Sequence, residues 1–242
     1  MPSYRLLMLA GLVLSGAGIS CSGRLPSPSQ LSPLVRGEPL QTPTDTRAFA
    51  LQSSGIDYRL EPLFDYDIAG LVVSLHDSAT WWDTIHADSN DHLNVADLCL
   101  VWGANAAGGA YRHMYFHNGQ FTCYFGYADD WPVRAADTRA VSNNHLLTTD
   151  AAVARAIRRL RVGDQVRLRG RLANYSHNTG FPFHRSTSVT RDDAGCEIIL
   201  IDHLDLLGRG ASWPRWLVWC GVVLLLAGLV VWYRRPNSER DW

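Results

Sequence analysis

"DAAVARAIRRLRVGDQVRLRGRLANY", Asp150 to Tyr175, is the stretch on which the fold is read. Val153, Ile157 and Leu160 recur at helical spacing, so its first half is an amphipathic helix, with Thr149 placed to cap it. Val162-Gly163-Asp164 then turns the chain. Val166, Leu168 and Leu172 alternate with Arg167, Arg169 and Arg171, the pattern of a strand with two unlike faces. A helix, a Gly-Asp turn and a V-x-L-x-G-x-L strand suit a small OB-like or SH3-like barrel.

Outward from this stretch the chain breaks into short strand-like pieces rich in β-branched and aromatic residues: Asp67–Leu75, Asp97–Trp102, Met114–Tyr127 and Cys196–Ile201. Asn118-Gly119 between two aromatic runs marks a hairpin. The expected class is β-rich α+β: a single barrel over residues 49–210 with one amphipathic helix, followed by a transmembrane helix.

The ends assign the compartment. Residues 1–21 combine Arg5, an uncharged stretch Leu6–Ser20 and Cys21, which reads as a signal-type leader. Cleavage, lipidation at Cys21 and retention as a second membrane anchor all stay open. Residues 22–48 hold five of the eleven prolines and are expected to form an extended Pro/Ser tether. Residues 215–233 are read as a membrane span: Trp216–Tyr233 carry no charge over 18 residues, about 27 Å of helix against a ~30 Å hydrocarbon core. Trp213, Trp216 and Trp219 flank one end, Trp232 and Tyr233 the other. Arg234 and Arg235 then place residues 234–242 in the cytoplasm. The expected location is a bacterial inner membrane, with the main domain in the periplasm.

The net charge is −1, so no global bias selects a partner. All 22 basic residues are arginine, which excludes Schiff-base, Ser–Lys and P-loop lysine chemistry. "WGANAAGG", Trp102–Gly109, has the glycine spacing of a phosphate loop, but Gly109 and Ala110 stand where its lysine and hydroxyl would be. No cofactor is expected.

Several groups remain as candidates. Cys99 and Cys123 sit in neighbouring strand-like segments and are the expected disulfide, leaving Cys196 as the third cysteine of the exported part. Cys196 could act as a nucleophile with His145 or His203, although "CEIILI" reads first as a core strand in which cysteine packs as a small apolar residue. Within the His/Asp-rich segment 76–97, His76, His86, Asp88, Asp91 and His92 could bind a metal or small ligand, without the compact spacing of a known site. The densest charge lies on Arg155, Arg158 and Arg159 of the helix and Arg167, Arg169 and Arg171 of the strand. Outside the cytoplasm nucleic acid is not the expected target; anionic lipid or an acidic envelope protein is.

"VADLCLVWG", "NNHLLTT", "LRVGDQVRLRGRL" and "STSVTRDDAGCEIILID" occur in that order. They resemble a family of uncharacterised bacterial secreted or membrane-anchored proteins that carry D-L-A-L-G-W-G, N-M-H-L-I-P, G-D-x-V-x-L-x-G and S-S-x-x-R-x-D-x-G-x-x-x-C-E. The resemblance spans residues 57 to 204 and departs at Cys99, at Val101 and after His145. It implies a shared fold and export, and no reaction. The expected function is a membrane-tethered extracytoplasmic interaction or assembly module without catalytic activity. The alternatives are an envelope hydrolase or thiol enzyme built on Cys196 and a histidine, and a metal or ligand binder at segment 76–97.

Overall fold

The structure, a computed structural model, describes residues 3–127, 137–190 and 195–234; the tail beyond Arg234 lies outside them. The chain divides into two units, one formed by its two ends and the other by Leu25–Gly210.

The first unit is a pair of helices, α1 (Ser3–Cys21) and α5 (Trp213–Tyr233), each long and apolar enough to cross a membrane. They run antiparallel, with Gly11 against Gly221, Gly18 against Pro214 and Gly228 against Tyr4. A β-carbon at Gly11 would lie 2.7 Å from the Gly221 carbonyl oxygen, and one at Gly18 2.6 Å from that of Pro214. Only glycine permits this approach, which is how apolar helices pack closely in lipid. Arg5 and Arg234 stand at the same end of the pair.

The second unit is a β-rich α+β domain around one large mixed sheet. Its elements are β1 (Leu40–Pro43), β2 (Phe49–Ser53), β3 (Ile56–Asp77), α2 (Thr84–Asp88), β4 (Asn94–Val101), α3 (Gly103–Gly108), β5 (Met114–Asn118), β6 (Cys123–Tyr127), β7 (Val141–Leu147), α4 (Ala151–Ile157), β8 (Gln165–His177), β9 (Phe183–Arg185) and β10 (Cys196–Gly208). Strand β3 pairs with β4, β4 with β7, β7 with β10, β10 with β8, and β8 returns to β3. Five strands therefore form a closed ring of pairings, parallel at β7–β10 and antiparallel elsewhere. β3 serves both edges by running 22 residues, and its register with β8 shifts just after Pro62, where the ladder lacks a donor.

Period-2 alternation sorts the ring strands. Leu98, Leu100, Leu146, Val166, Leu168, Leu172, Ile199 and Ile201 point into one buried core, closed by Ile157 and Leu160 at α4. On the opposite face Val73, Cys99, Val101 and Val141 pack with Tyr111, Leu31 and Val35 in a second cluster. The β5–β6 hairpin contributes Phe116, Cys123 and Phe125 to it, and a Cys99–Cys123 disulfide ties that hairpin to β4.

Three local features differ from the sequence reading. The side chain of Asp150, not Thr149, caps α4, accepting from the backbone N–H groups of Ala152 and Val153. The hairpin turns over four residues, 119–122, because Asn118 stays in the strand: its N–H donates to Ser74 Oγ and its amide to Asn143 Oδ1. Residues 25–48 form two 3₁₀ turns and strand β1 rather than an extended tether. Prolines 28 and 33 start those turns, and Leu31 and Val35 gain a burial that a solvated tether forgoes.

Candidate active site

The site begins with the pairing register. His76 of β3 stands opposite Asp97 of β4, and Asp97 opposite His145 of β7. One step along, Ser74 faces Cys99, Cys99 faces Asn143, and Asn143 faces Cys196 of β10. These positions alternate with the core-facing leucines, so the sheet places a polar grid on the face opposite the main core. Nearly all of it is buried: His145 and Asp97 are fully so, His76 and Asn143 nearly so, and Cys196 stays partly open.

A buried carboxylate needs partners, and Asp97 has three. His145 Nδ1–H donates to its Oδ1 at 2.6 Å, Asn94 Nδ2 donates to the same oxygen at 2.8 Å, and the Phe121 N–H donates to Oδ2 at 3.0 Å. Burial works to raise this carboxyl; the charge and hydrogen bond of His145, with the Asn94 amide, outweigh it and hold it below its usual range. Reciprocally, burial works to lower His145, but the Asp97 charge and hydrogen bond and the Cys196 thiol lift the ring to about 9.

At the other ring nitrogen three groups converge. Arg185 Nη2 donates to His145 Nε2 at 2.8 Å, Asn143 Nδ2 lies 3.4 Å away, and the Cys196 thiol, 3.8 Å from that same Asn143 amide nitrogen, completes the group. Asp97 favours an imidazolium, whereas the Arg185 contact requires a lone pair on Nε2. Both cannot be met at once. With Arg185 in place the ring is neutral and Nε2 accepts; when Arg185 turns away, Nε2 is free to take a proton.

Phe121, at the tip of the β5–β6 hairpin, caps this arrangement. Its φ is +65°, a left-handed conformation that an aromatic residue rarely adopts. The surroundings hold it there. Beyond the bond to Asp97, its carbonyl accepts from Asn143 Nδ2 at 3.2 Å and lies 3.8 Å from Cys196 Sγ. The Arg185 guanidinium sits 4.0 Å from its ring centroid, and the His86 ring packs 3.9 Å away.

A second buried cluster supports the first. His76 Nε2, Asp83 and His86 bring three potential ligand atoms within 4.8 Å, a set that could hold a metal ion. Here one Asp83 oxygen accepts from His76 Nε2 at 2.5 Å and from His86 Nδ1 at 2.6 Å. Burial works to raise Asp83, but these bonds, with the His86 backbone N–H, hold it below its usual range. Asn94 Nδ2 donates to His86 Nε2 at 2.8 Å, which keeps that ring's hydrogen on Nδ1. His86 could therefore ligate through Nδ1 only if Asn94 released it. In this state the cluster steers Asn94, and Asn94 orients Asp97.

The other sequence candidates lie elsewhere. Asp91 is buried against Tyr175, whose hydroxyl donates to it at 2.5 Å, while Asp88 and His92 are exposed outside the cluster. His203 is exposed on β10, 3.8 Å from Asp205. Arg167 pairs with Asp67 through two contacts of 2.8 and 2.6 Å, Arg169 with Asp205 at 2.9 Å and Arg171 with Asp202 at 2.5 Å. Arg155 and Arg159 are exposed on and after α4, and Arg158 stands 3.7 Å from Asp77. Cys21 closes α1.

Asp83, Asn94 and Asp97 fall inside the candidate segment 76–97 without being singled out there, and Phe121, Asn143 and Arg185 were not candidates from sequence. For Asp97 and Asn143 a signal was available: "DLCLV" and "NNHLL" place polar residues at alternate positions of strands that are otherwise apolar. Arg185 and Phe121 offered none, since each arrives from a loop or edge strand far along the chain. Compared with known proteins, the chain matches no family model, no curated protein and no solved structure.

Proposed function

We propose that this is a membrane-anchored thiol hydrolase of the bacterial cell envelope, with Cys196 as nucleophile, His145 as its base and Asp97 as the group that orients and charges the imidazole. One juxtaposition carries the reading: three strands bring Asp97, His145 and Cys196 together, the carboxylate holding one ring nitrogen while the Asn143 amide lies between the other nitrogen and the thiol. That is the nucleophile–base–orienter order of covalent catalysis. In the reaction, the thiol proton passes to Nε2 as sulfur bonds to an electrophilic carbonyl carbon. The leaving group departs with that proton. Water, deprotonated by the same nitrogen, then cleaves the thioester and regenerates the thiol. Asn143 Nδ2, 3.8 Å from Sγ, is the side-chain donor placed for the developing oxyanion.

The ring of strands supports an OB-type reading of the domain. Its order is β3-β4-β7-β10-β8, the pairing of its third and fifth strands is parallel, and α4 lies between its third and fourth. OB barrels take ligands on the face of strands 2 and 3, flanked by the loops after strands 1 and 4. Here those strands are β4 and β7, which carry Asp97 and His145, and the two loops bring Asp83 with His86 and Arg185. The disulfide supports an oxidising compartment. The glycine seam and the shared end of Arg5 and Arg234 support retention of α1 as a second span, with both termini in the cytoplasm and the domain in the periplasm.

A non-catalytic assembly role is favoured by a different observation: Trp81 is 94% exposed, with Trp82 and Ile85 beside it on the same loop. The arginine strand supports that role less, because each of its guanidinium groups already has an aspartate.

Alkylation of Cys196 in the full chain in detergent, followed by mass spectrometry of its peptide, separates the two. Cys196 should react with iodoacetamide at pH 7 faster than 2-mercaptoethanol does, and His145→Gln should remove the excess. A wild-type rate no greater than that of 2-mercaptoethanol sinks the thiol reading and leaves the assembly module.

A further inference from the structure

We propose that Arg185 is the recognition residue for a carboxylate carried by the substrate, so that the thiol site acts on an acidic molecule. This inference rests on the thiol reading of Cys196. Three observations carry it. Arg185 makes no ion pair among the described residues, whereas the arginines of the strand at 167, 169 and 171 each hold an aspartate. Its guanidinium is positioned rather than free: it stacks on the Phe121 ring at 4.0 Å, and that ring is itself held in a left-handed backbone conformation by Asp97 and Asn143. The group it touches, His145 Nε2 at 2.8 Å, accepts through one uncharged lone pair and, among the described residues, uses one donor of five. A half-buried cation with unspent donors beside a partly open thiol is a receptor for an anion, and a planar guanidinium matches a carboxylate through two parallel hydrogen bonds.

Capture of the carboxylate has a chemical consequence at the same atom. Arg185 and the thiol proton compete for the one lone pair of Nε2. A carboxylate that draws Arg185 toward itself frees Nε2 to accept the Cys196 proton. Binding of the acidic group and formation of the thiolate are thereby coupled, and a neutral analogue finds the base free only in the fraction of time that Arg185 turns away by itself.

Two alkylating agents of the same size and opposite character test this. Iodoacetate carries a carboxylate next to the carbon attacked and iodoacetamide a neutral amide; in both cases sulfur bonds to that carbon and iodide leaves. In the full chain in detergent, the iodoacetate-to-iodoacetamide rate ratio at Cys196 should exceed that of 2-mercaptoethanol by about tenfold, the low end of electrostatic focusing in a cleft. Arg185→Gln should bring the ratio to that of the free thiol while iodoacetamide still reacts. A second arm needs no mutation: sodium acetate should slow wild-type iodoacetate labelling more than sodium chloride of equal ionic strength. Iodoacetamide reactivity with the ratio of 2-mercaptoethanol and no acetate effect would overturn this inference and leave the thiol site standing. Inertness to both reagents would overturn both.

Discussion

Two sets of charged residues occupy the same ring of strands and have opposite fates. The arginines at 167, 169 and 171 crowd one strand, stand at its outer face and are neutralised pairwise by Asp67, Asp205 and Asp202. Asp97, His145, Arg185 and Cys196 are scattered over a hundred residues, are mostly buried, and share their hydrogen bonds around one imidazole. Density along the chain thus says little about chemistry. Exposed pairs across a ladder are electrostatically closed and worth little; a mostly buried set in which a guanidinium and a thiol keep capacity to spare is where free energy can be redirected.

The most forceful way to break this contrast is at Asp97. Asp97→Ala removes the carboxylate but leaves His145, Asn94 and the Phe121 N–H buried with lost partners. The domain should lose about 3–5 kcal/mol, measured by denaturant unfolding, and Cys196 alkylation should fall with it. Asp97→Asn keeps the shape and should recover part of the stability without the labelling rate. A loss below about 1 kcal/mol for the alanine variant would place Asp97 with the surface pairs.

How much of this was legible depends on which contacts are local. The amphipathic stripe of Val153, Ile157 and Leu160, the hairpin around Gly119 and the two apolar ends are local patterns, and the structure has an element at each. Closure of the ring needs β3 to meet β8 a hundred residues away, which no periodicity encodes. The site is of the same kind. Cys196 was paired from sequence with either His145 or His203, but what brings it to His145 is the parallel register Asn143↔Cys196, and Arg185 enters from a three-residue strand. Residues 25–48 depart from an extended tether because Leu31 and Val35 can bury in the second cluster, which proline content does not reveal.

Titration sharpens the comparison, because arginine does not titrate in the accessible range and the site does. Once Arg185 has turned away from Nε2, Asp97 holds the His145 proton up to about 9 in the fold, against about 6.5 when unfolded. The folded state therefore holds this proton more tightly. Its contribution is complete below about pH 6.5 and is lost as pH rises to about 9, up to about 3 kcal/mol in all. Asp97, held below its usual range, adds a contribution present above about pH 4 and lost on further acidification. Unfolding midpoints across pH 6–10 should fall through this window in the wild type and stay flat in His145→Gln.

The disulfide offers a smaller break. Cys99 and Cys123, 24 residues apart, hold the hairpin whose tip Phe121 caps the site. Replacing both by serine should cost about 2–3 kcal/mol through the freed unfolded chain. It should also loosen Phe121, so that Cys196 becomes more accessible to iodoacetamide while its carboxylate preference declines. Stability lost with the preference intact would show that the hairpin is held without help from Cys99.

The smallest effect lies at the arginine ladder, and its smallness is the point. Arg169 and Asp205 meet at 2.9 Å with about two-fifths of each side chain exposed. Water screens such a pair, and ordering two long side chains offsets most of its attraction, so Arg169→Gln should change stability by roughly 0.2–1 kcal/mol, less at high salt. The aliphatic stem of glutamine keeps much of the packing on β8, so no cavity adds to the loss. Because Arg169 stands on β8, which pairs with neither β4 nor β7, the iodoacetate preference at Cys196 should not move. A large change in either quantity would mean that the ladder and the site are one charge network, and the division between a closed and an open set of charges would have to be redrawn.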